Sequence, residues 1–210
     1  MGKALRDGYR DRIFLMSKVR DRTPTGARHQ LEESLRRLQT DHLDLWQFHA
    51  IAERDDVKAV YNDGLLDVAL EAREQGRIRF IGFSGHTHPD LHLAMIEGGF
   101  PWDTVQMPVN LFDPHYLSFV EQVLPIAVQR GIGVIAMKSL GGTPGQLPQT
   151  GVVAAAECLR YAMSLPVATV CSGMDSLERL EENLTTTRSF RPLSGDEMLE
   201  LLERTAEHGA

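Results

Sequence analysis

Two side chains stand at the ends of short apolar runs, where their chemistry could be put to use. Lys18 closes Arg12–Lys18 (RIFLMSK), and His49 closes Leu43–His49 (LDLWQFH). A lysine at a strand end can simply reach solvent. Yet the chain holds only four lysines (Lys3, Lys18, Lys58 and Lys138) against eighteen arginines, which makes one in this place more suggestive. Its ammonium is a compact charge able to lower the pKa of a neighbouring acid. His49 also reads two ways. It is either a core histidine bonded to backbone or a neutral imidazole donating a hydrogen bond to a substrate carbonyl. A third group, His86, His88 and His92 in GHTHPDLH, has the His-x-His spacing of zinc-dependent barrel hydrolases, but no carboxylate cluster is evident beside it.

Six runs must position these residues: Arg12–Lys18, Leu43–His49, Phe80–Gly85, Thr104–Asn110, Gly133–Ser139 and Ala168–Met174. Five lack period-2 alternation, as expected of parallel strands buried on both faces, and Leu43–His49 comes closest to alternating. Amphipathic segments separate them. Leu31, Leu35 and Leu38 form one helical stripe. A helix around Asp63–Gln75 has Asp63 as its expected N-cap and Gly76 as its stop. Further helices are expected at Pro89–Glu97, Leu117–Arg130, Val152–Ser164 and Leu177–Leu184. The last, Ser194–Glu207, opens with a Ser-x-x-Glu capping box.

A repeated βα unit fits an open doubly wound sheet or a closed β/α barrel. Polar residues at or near all six strand ends (Lys18, His49, Ser84, Gln106, Lys138 with Ser139, and Gly173) favour the barrel, whose strand ends converge on one face. Eight strands close such a barrel, and six are visible.

The chain of 210 residues carries 22 Lys+Arg against 29 Asp+Glu, a net charge of −7. That argues against a broad nucleic-acid footprint and leaves room for a local basic pocket. Two cysteines, Cys158 and Cys171, without a CxxC pair argue against a disulfide framework and point to a reducing, cytoplasmic setting. No apolar run is long enough to span a membrane, and the N-terminus lacks a signal-peptide core. A single domain over 1–210 is the expectation, with the oligomeric state open.

Residues 34–49 (SLRRLQTDHLDLWQFH) resemble the aldo-keto reductase signature, in which a helix leads through Asp-x-x-Asp-Leu into the strand ending in the active-site histidine. FLMSK (14–18) is similar to the strand ending in the family's lysine. GRIRFIGFS (76–84), Val105–Gln106 and AMKSLGG (136–142) match the strands that follow. GMDSLERLEEN (173–183) resembles the closing dinucleotide-binding strand and helix. The resemblance implies an incomplete TIM (β/α)8-type barrel of about six βα units with parallel strands, lacking the first two.

It also implies a hydride-transfer oxidoreductase acting between small carbonyl compounds and alcohols, using NADP(H) by preference or NAD(H). Lys18 and His49 would be catalytic. Ser84 and Gln106 would hold the nicotinamide carboxamide, with Gly85 where the family often has Asn and Met137 where it commonly has Tyr. Ser139, Leu140 and Gly142 would line the pyrophosphate beside Lys138, with Gly173 and Met174 in the closing segment. Arg179 would take the 2′-phosphate, and Glu182 and Asn183 the adenine. On the bland reading, Glu178, Arg179, Glu181 and Glu182 are a solvated helical charge run. The family's Asp and Tyr belong to units ahead of Gly2–Asp7. Neither Asp44 nor Tyr9, Tyr61, Tyr116 or Tyr161 matches them. An NADP-binding pseudoenzyme or regulatory module is therefore the alternative. The mouth loops Ala50–Asn62 and Leu111–Tyr116, with Phe48, Phe112 and Tyr116, are the candidates for substrate contact.

Overall fold

In a computed structural model that describes residues 1–142 and 145–208, six strands follow in chain order: β1 (Met16–Val19), β2 (Leu43–Phe48), β3 (Ile78–Ser84), β4 (Thr104–Pro108), β5 (Gly133–Met137) and β6 (Thr169–Val170). They lie in one sheet in the order β1-β2-β3-β4-β5-β6. The pairings of β1 with β2, β2 with β3 and β5 with β6 are parallel, so each connection crosses over through helix. This is the run of parallel β/α units expected of a partial barrel. The chain falls into two compact units, Met1–Val105 and Gln106–Ala210, taken in turn below.

In the first unit, α1 (Pro24–Leu38) starts where Thr23 accepts a hydrogen bond from the Gly26 N–H and Pro24 supplies a pre-set φ. Its stripe of Ala27, Leu31 and Leu35 is buried. The register then fixes the levels of the strand ends. Val19 pairs with Phe48, and Phe48 with Phe83, so His49 and Ser84 emerge at the same height. All six residues of β2 are buried, so its apparent alternation conceals two covered faces.

Asp44 explains how β2 tolerates a carboxylate at 4% exposure. It accepts the Leu15 N–H (2.8 Å) and pairs with Arg10 (3.0 Å) and Arg79 (2.7 Å). These partners hold its carboxyl below the ordinary range although burial alone would raise it. It sits near the start of β2, at the opposite end from His49 and away from any strand-end chemistry.

The segment expected as one helix around Asp63–Gln75 is instead preceded by α2 (Arg54–Asn62) and formed by α3 (Leu65–Glu74). Asp63 ends α2 rather than capping α3. Gly64, at φ +86°, turns the chain between them, a conformation glycine adopts without a Cβ penalty. Most of the expected mouth loop Ala50–Asn62 is therefore helix. The next helix, α4, spans Pro89–Glu97, as expected. Trp102 gathers Phe48, Phe83, Phe100 and Tyr61 around it at ring separations of 4.8–6.2 Å.

The second unit breaks the expected Leu117–Arg130 helix into α5 (Phe119–Gln122) and α6 (Leu124–Gln129). Pro125 has no N–H to continue the ladder. Then come α7 (Gln146–Gln149), α8 (Ala155–Ser164), α9 (Leu177–Arg188) and α10 (Gly195–Thr205), whose expected Ser194–Glu197 capping box is present. Leu111, Leu147, Val153, Cys158, Tyr161 and Leu201 make the core cluster of this unit. Only two residues of the Ala168–Met174 run are strand, paired in parallel with β5. Among the described residues, no helix is long and apolar enough to cross a membrane.

Asp44→Asn leaves two arginines without a counter-charge. At neutral pH it should lower stability by about 2 kcal/mol, a value discounted for the exposure of Arg79. The stabilising effect of the wild-type carboxylate is present above its unfolded pKa and is lost as pH falls through the lowered folded value. The gap between variant and wild type should therefore close in acid. Urea melts at pH 7 and pH 3 check this; an equal gap at both would contradict it.

Candidate active site

The first unit concentrates its strand-end chemistry on the Ser84 hydroxyl. Equal register places His49 beside it, and the imidazole Nδ1 lies 3.1 Å from Ser84 Oγ. The same oxygen accepts the Ala50 N–H at 3.3 Å, while the Ser84 carbonyl accepts the Ile51 N–H at 2.8 Å. The His49 N–H in turn donates to the Val19 carbonyl (2.8 Å), tying the loop after β2 to β1.

Ala50 has φ +55°, an unfavourable region for a residue with a Cβ, and Arg22 holds that turn from outside. Its guanidinium donates to the His49 and Ala50 carbonyls at 2.7 and 3.1 Å. A 2.6 Å ion pair with Asp56 aims it there. Asp56 also accepts the Ala52 and Glu53 N–H groups, coupling the turn to the start of α2.

The His49 pKa is lowered, first by burial and then by the positive charges of Lys18, Arg20 and Arg22. The imidazole is thus neutral at physiological pH. If the Ser84 hydroxyl donates to Nδ1, the ring hydrogen resides on Nε2, which is the tautomer a donor to a carbonyl oxygen needs. Lys18 sits within β1, half-buried, one level below Val19.

Ser84, expected to hold a carboxamide, is 1% exposed and spends these hydrogen bonds on the histidine loop. Glycine at position 85 is a packing requirement: a Cβ there would lie 2.6 Å from the Ile51 carbonyl oxygen and 2.7 Å from His92 Cε1. An asparagine in this backbone could not reach a ligand without opening the loop.

The His-x-His group weighed as a minor alternative is spread over separate packing roles. His92 is fully buried with its ring 5.2 Å from that of Phe83, and the His88 ring accepts the Asp90 N–H at the start of α4. Among the described residues, no three His, Cys, Asp or Glu side chains converge on a metal position. Phe48 lies in the core rather than on a pocket wall, Phe112 packs against the core of the second unit, and Tyr116 is exposed. Tyr61 bonds the Met95 carbonyl and accepts from the Trp102 indole, and Tyr161 is buried with its pKa pushed up.

In the second unit, Ala136 pairs with Val170, so the chain leaves β5 and β6 at neighbouring points. A cleft of about 370 Å³ lies there, lined by Lys138, Ser139, Leu140, Gly142, Gly173, Met174 and Arg179 from the sequence reading. Among the described residues, Gly145, Cys171, Ser172 and Asp175 also line it and were not anticipated. For Cys171 and Ser172 the signal was available, since both lie in the last apolar run.

Lys138 takes φ +56° to turn out of β5, and the Gly141 N–H closes the turn on its carbonyl at 2.8 Å. Partial burial lowers its pKa. Ser139 is 3% exposed, and its Oγ has no hydrogen-bond partner among the described residues. A buried hydroxyl so placed in a cleft with two cations fits an anionic oxygen as partner. The residues therefore suit a nucleotide pyrophosphate.

The other residues assigned to a cofactor are distributed differently. Glu182 borders an adjoining cleft shared with Arg179, and Asn183 donates to the Ser172 hydroxyl at 3.1 Å. Glu178, Arg179, Glu181 and Glu182 are all exposed, as a charge run would be. Gln106 is buried in β4, and Met137 ends β5 with its carbonyl accepting the Val109 N–H, outside the lining of this cleft.

The electrostatic reading of His49 can be measured directly. An NMR titration should find its imidazole protonating below the ordinary 6.5. Lys18→Met should move that value upward part of the way, since burial remains. Titration at or above 6.5 in the wild type would contradict it.

Comparison with known proteins bears on both units. A model of the "Aldo/keto reductase family" matches residues 1–150. The aldo-keto reductase YhdN of Bacillus subtilis (strain 168) is 30% identical over 151 residues, which cover 67% of this chain and 43% of that protein. An oxidoreductase of Schizosaccharomyces pombe, C215.11c, is 30% identical over 171 residues, covering 77% of this chain and 52% of its own length. The chain thus spans about half or less of these curated relatives. Aldo-keto reductase AKR11C1 from Bacillus halodurans, in its holo form, shares the fold with a TM-score of 0.76 at 22% identity, over 97% of this chain and 75% of that one. With the family model covering more than half of the chain, the protein belongs to the aldo-keto reductase family.

Proposed function

We propose that the chain holds NADP(H) in the cleft of its second unit and serves carbonyl–alcohol interconversion of a small molecule. The observation that carries this is Ser139: a buried hydroxyl without a partner among the described residues, in a cleft shared with Lys138 and Arg179. When bound, the nicotinamide supplies or accepts the hydride. The residues of this chain bind, orient and polarise.

Ser139 donates to a pyrophosphate oxygen, and Lys138 contributes its charge there. Leu140, Gly142, Gly173 and Met174 form the walls. Arg179 takes the 2′-phosphate through charge-assisted bonds, which favours NADP(H) over NAD(H). Glu182 and Asn183 are assigned to the adenine, and Ser84, Gln106 and Met137 to the nicotinamide end. His49, kept neutral, donates from Nε2 to the carbonyl oxygen, and Lys18 supplies the nearby positive charge.

A second reading is favoured by the tyrosines. Tyr61 is committed to the Trp102 cluster and Tyr161 to the core, so neither is a positioned proton donor. A site without a positioned general acid would lose ~10²–10⁴ in rate. On this reading the 210-residue chain binds nucleotide while turning over slowly or not at all.

NADPH fluorescence should change saturably on titration with the purified chain, and Ser139→Ala should weaken binding about tenfold, the scale of one hydrogen bond to a charged group. Aldehyde-dependent NADPH oxidation separates the readings: binding with turnover supports the enzyme, and binding without turnover supports the binding module. Absence of any fluorescence change would contradict both.

A further inference from the structure

Asp175 lines the same cleft as Arg179 and was not singled out by the sequence. Its Oδ1 lies 2.9 Å from Arg179 Nε, an i,i+4 ion pair that engages one edge of the guanidinium. It precedes Ser176, whose hydroxyl accepts the Arg179 N–H and caps α9, so the carboxylate stands at the positive end of that helix. Both side chains are substantially exposed, at 48% for Arg179 and 83% for Asp175, so a phosphate can compete for the arginine.

Resting on the nucleotide reading above, we propose that Asp175 is a specificity-determining residue that sets how strongly this cleft prefers a 2′-phosphate over a 2′-hydroxyl. A 2′-phosphate must share Arg179 with a carboxylate of its own sign and meets that carboxylate's repulsion. A ribose 2′-hydroxyl meets no such cost and can donate to the same carboxylate, as acidic residues do in other dinucleotide sites. Asp175 thus draws the balance from NADP(H) toward NAD(H), while Arg179 draws it the other way.

The probes are adenosine 2′,5′-bisphosphate and adenosine 5′-monophosphate, titrated calorimetrically into the wild-type chain and Asp175→Asn. The variant keeps the side-chain shape, lies at the surface and leaves the Ser176 cap in place. It should bind the bisphosphate roughly threefold or more tightly than wild type, the scale of one exposed charge pair, with the monophosphate changed by less than about twofold. Binding of both probes with no selective gain for the bisphosphate would overturn the role of Asp175 and leave the nucleotide reading standing. If neither probe binds wild type or variant, both are overturned. A Ser176→Ala control, which loses the cap but retains both charges, should show no selective gain; an equal gain there would assign the effect to helix fraying and overturn the proposal.

Discussion

The geometry of the first unit depends on one hydroxyl. Ser84 Oγ sits between His49 Nδ1 and the Ala50 N–H, and it can do so because parallel pairing sets Phe48 opposite Phe83. A slip of one residue in that register would turn β2 inside out and carry His49 away from Ser84. The bent backbone at Ala50 is sustained from both sides, by the Ile51 bond to the Ser84 carbonyl and by Arg22 on its anchor Asp56. The fully covered β2 and the rings around Trp102 keep those parts in place. His49 inherits its orientation from hydrogen bonds and its neutrality from burial among cations.

The second unit follows a different logic. Its cleft is built from backbone that leaves two short parallel strands side by side, with an unfavourable φ at Lys138 and glycines at 141 and 142 in the left-handed region. The turn exposes Lys138 while Ser139 stays covered. A covered hydroxyl without a partner is costly unless something completes it, and the proposed pyrophosphate would do so. Arg179 and Asp175, which also line the cleft, hold each other at the surface. Charge there is therefore set by a pair rather than by a lone arginine.

Much of this could be read from residue order. Apolar runs ending in polar residues located the strands, and the helix cap at Ser194 was visible as a short motif. Three features were hidden for physical reasons. Gly64 turns the chain at a place where Asp63 looked like a better cap, and Pro125 divides a helix that hydrophobic periodicity ran through. Asp175 became informative only once its carboxylate was seen against Arg179, because sequence spacing alone gives i,i+4 pairs no direction. Gly85 resolves a departure from the family pattern, since Ile51 and His92 already fill the space a side chain would need.

The position at which a nucleotide settles is the most direct test of the proposed cleft. Amide chemical-shift mapping of the 210-residue chain with NADP⁺ locates it without requiring turnover. The largest perturbations are predicted at Ser139, Leu140, Gly142, Gly173, Met174 and Arg179, around the cleft of the second unit. Saturable perturbations centred elsewhere, with these amides unmoved, would contradict the account.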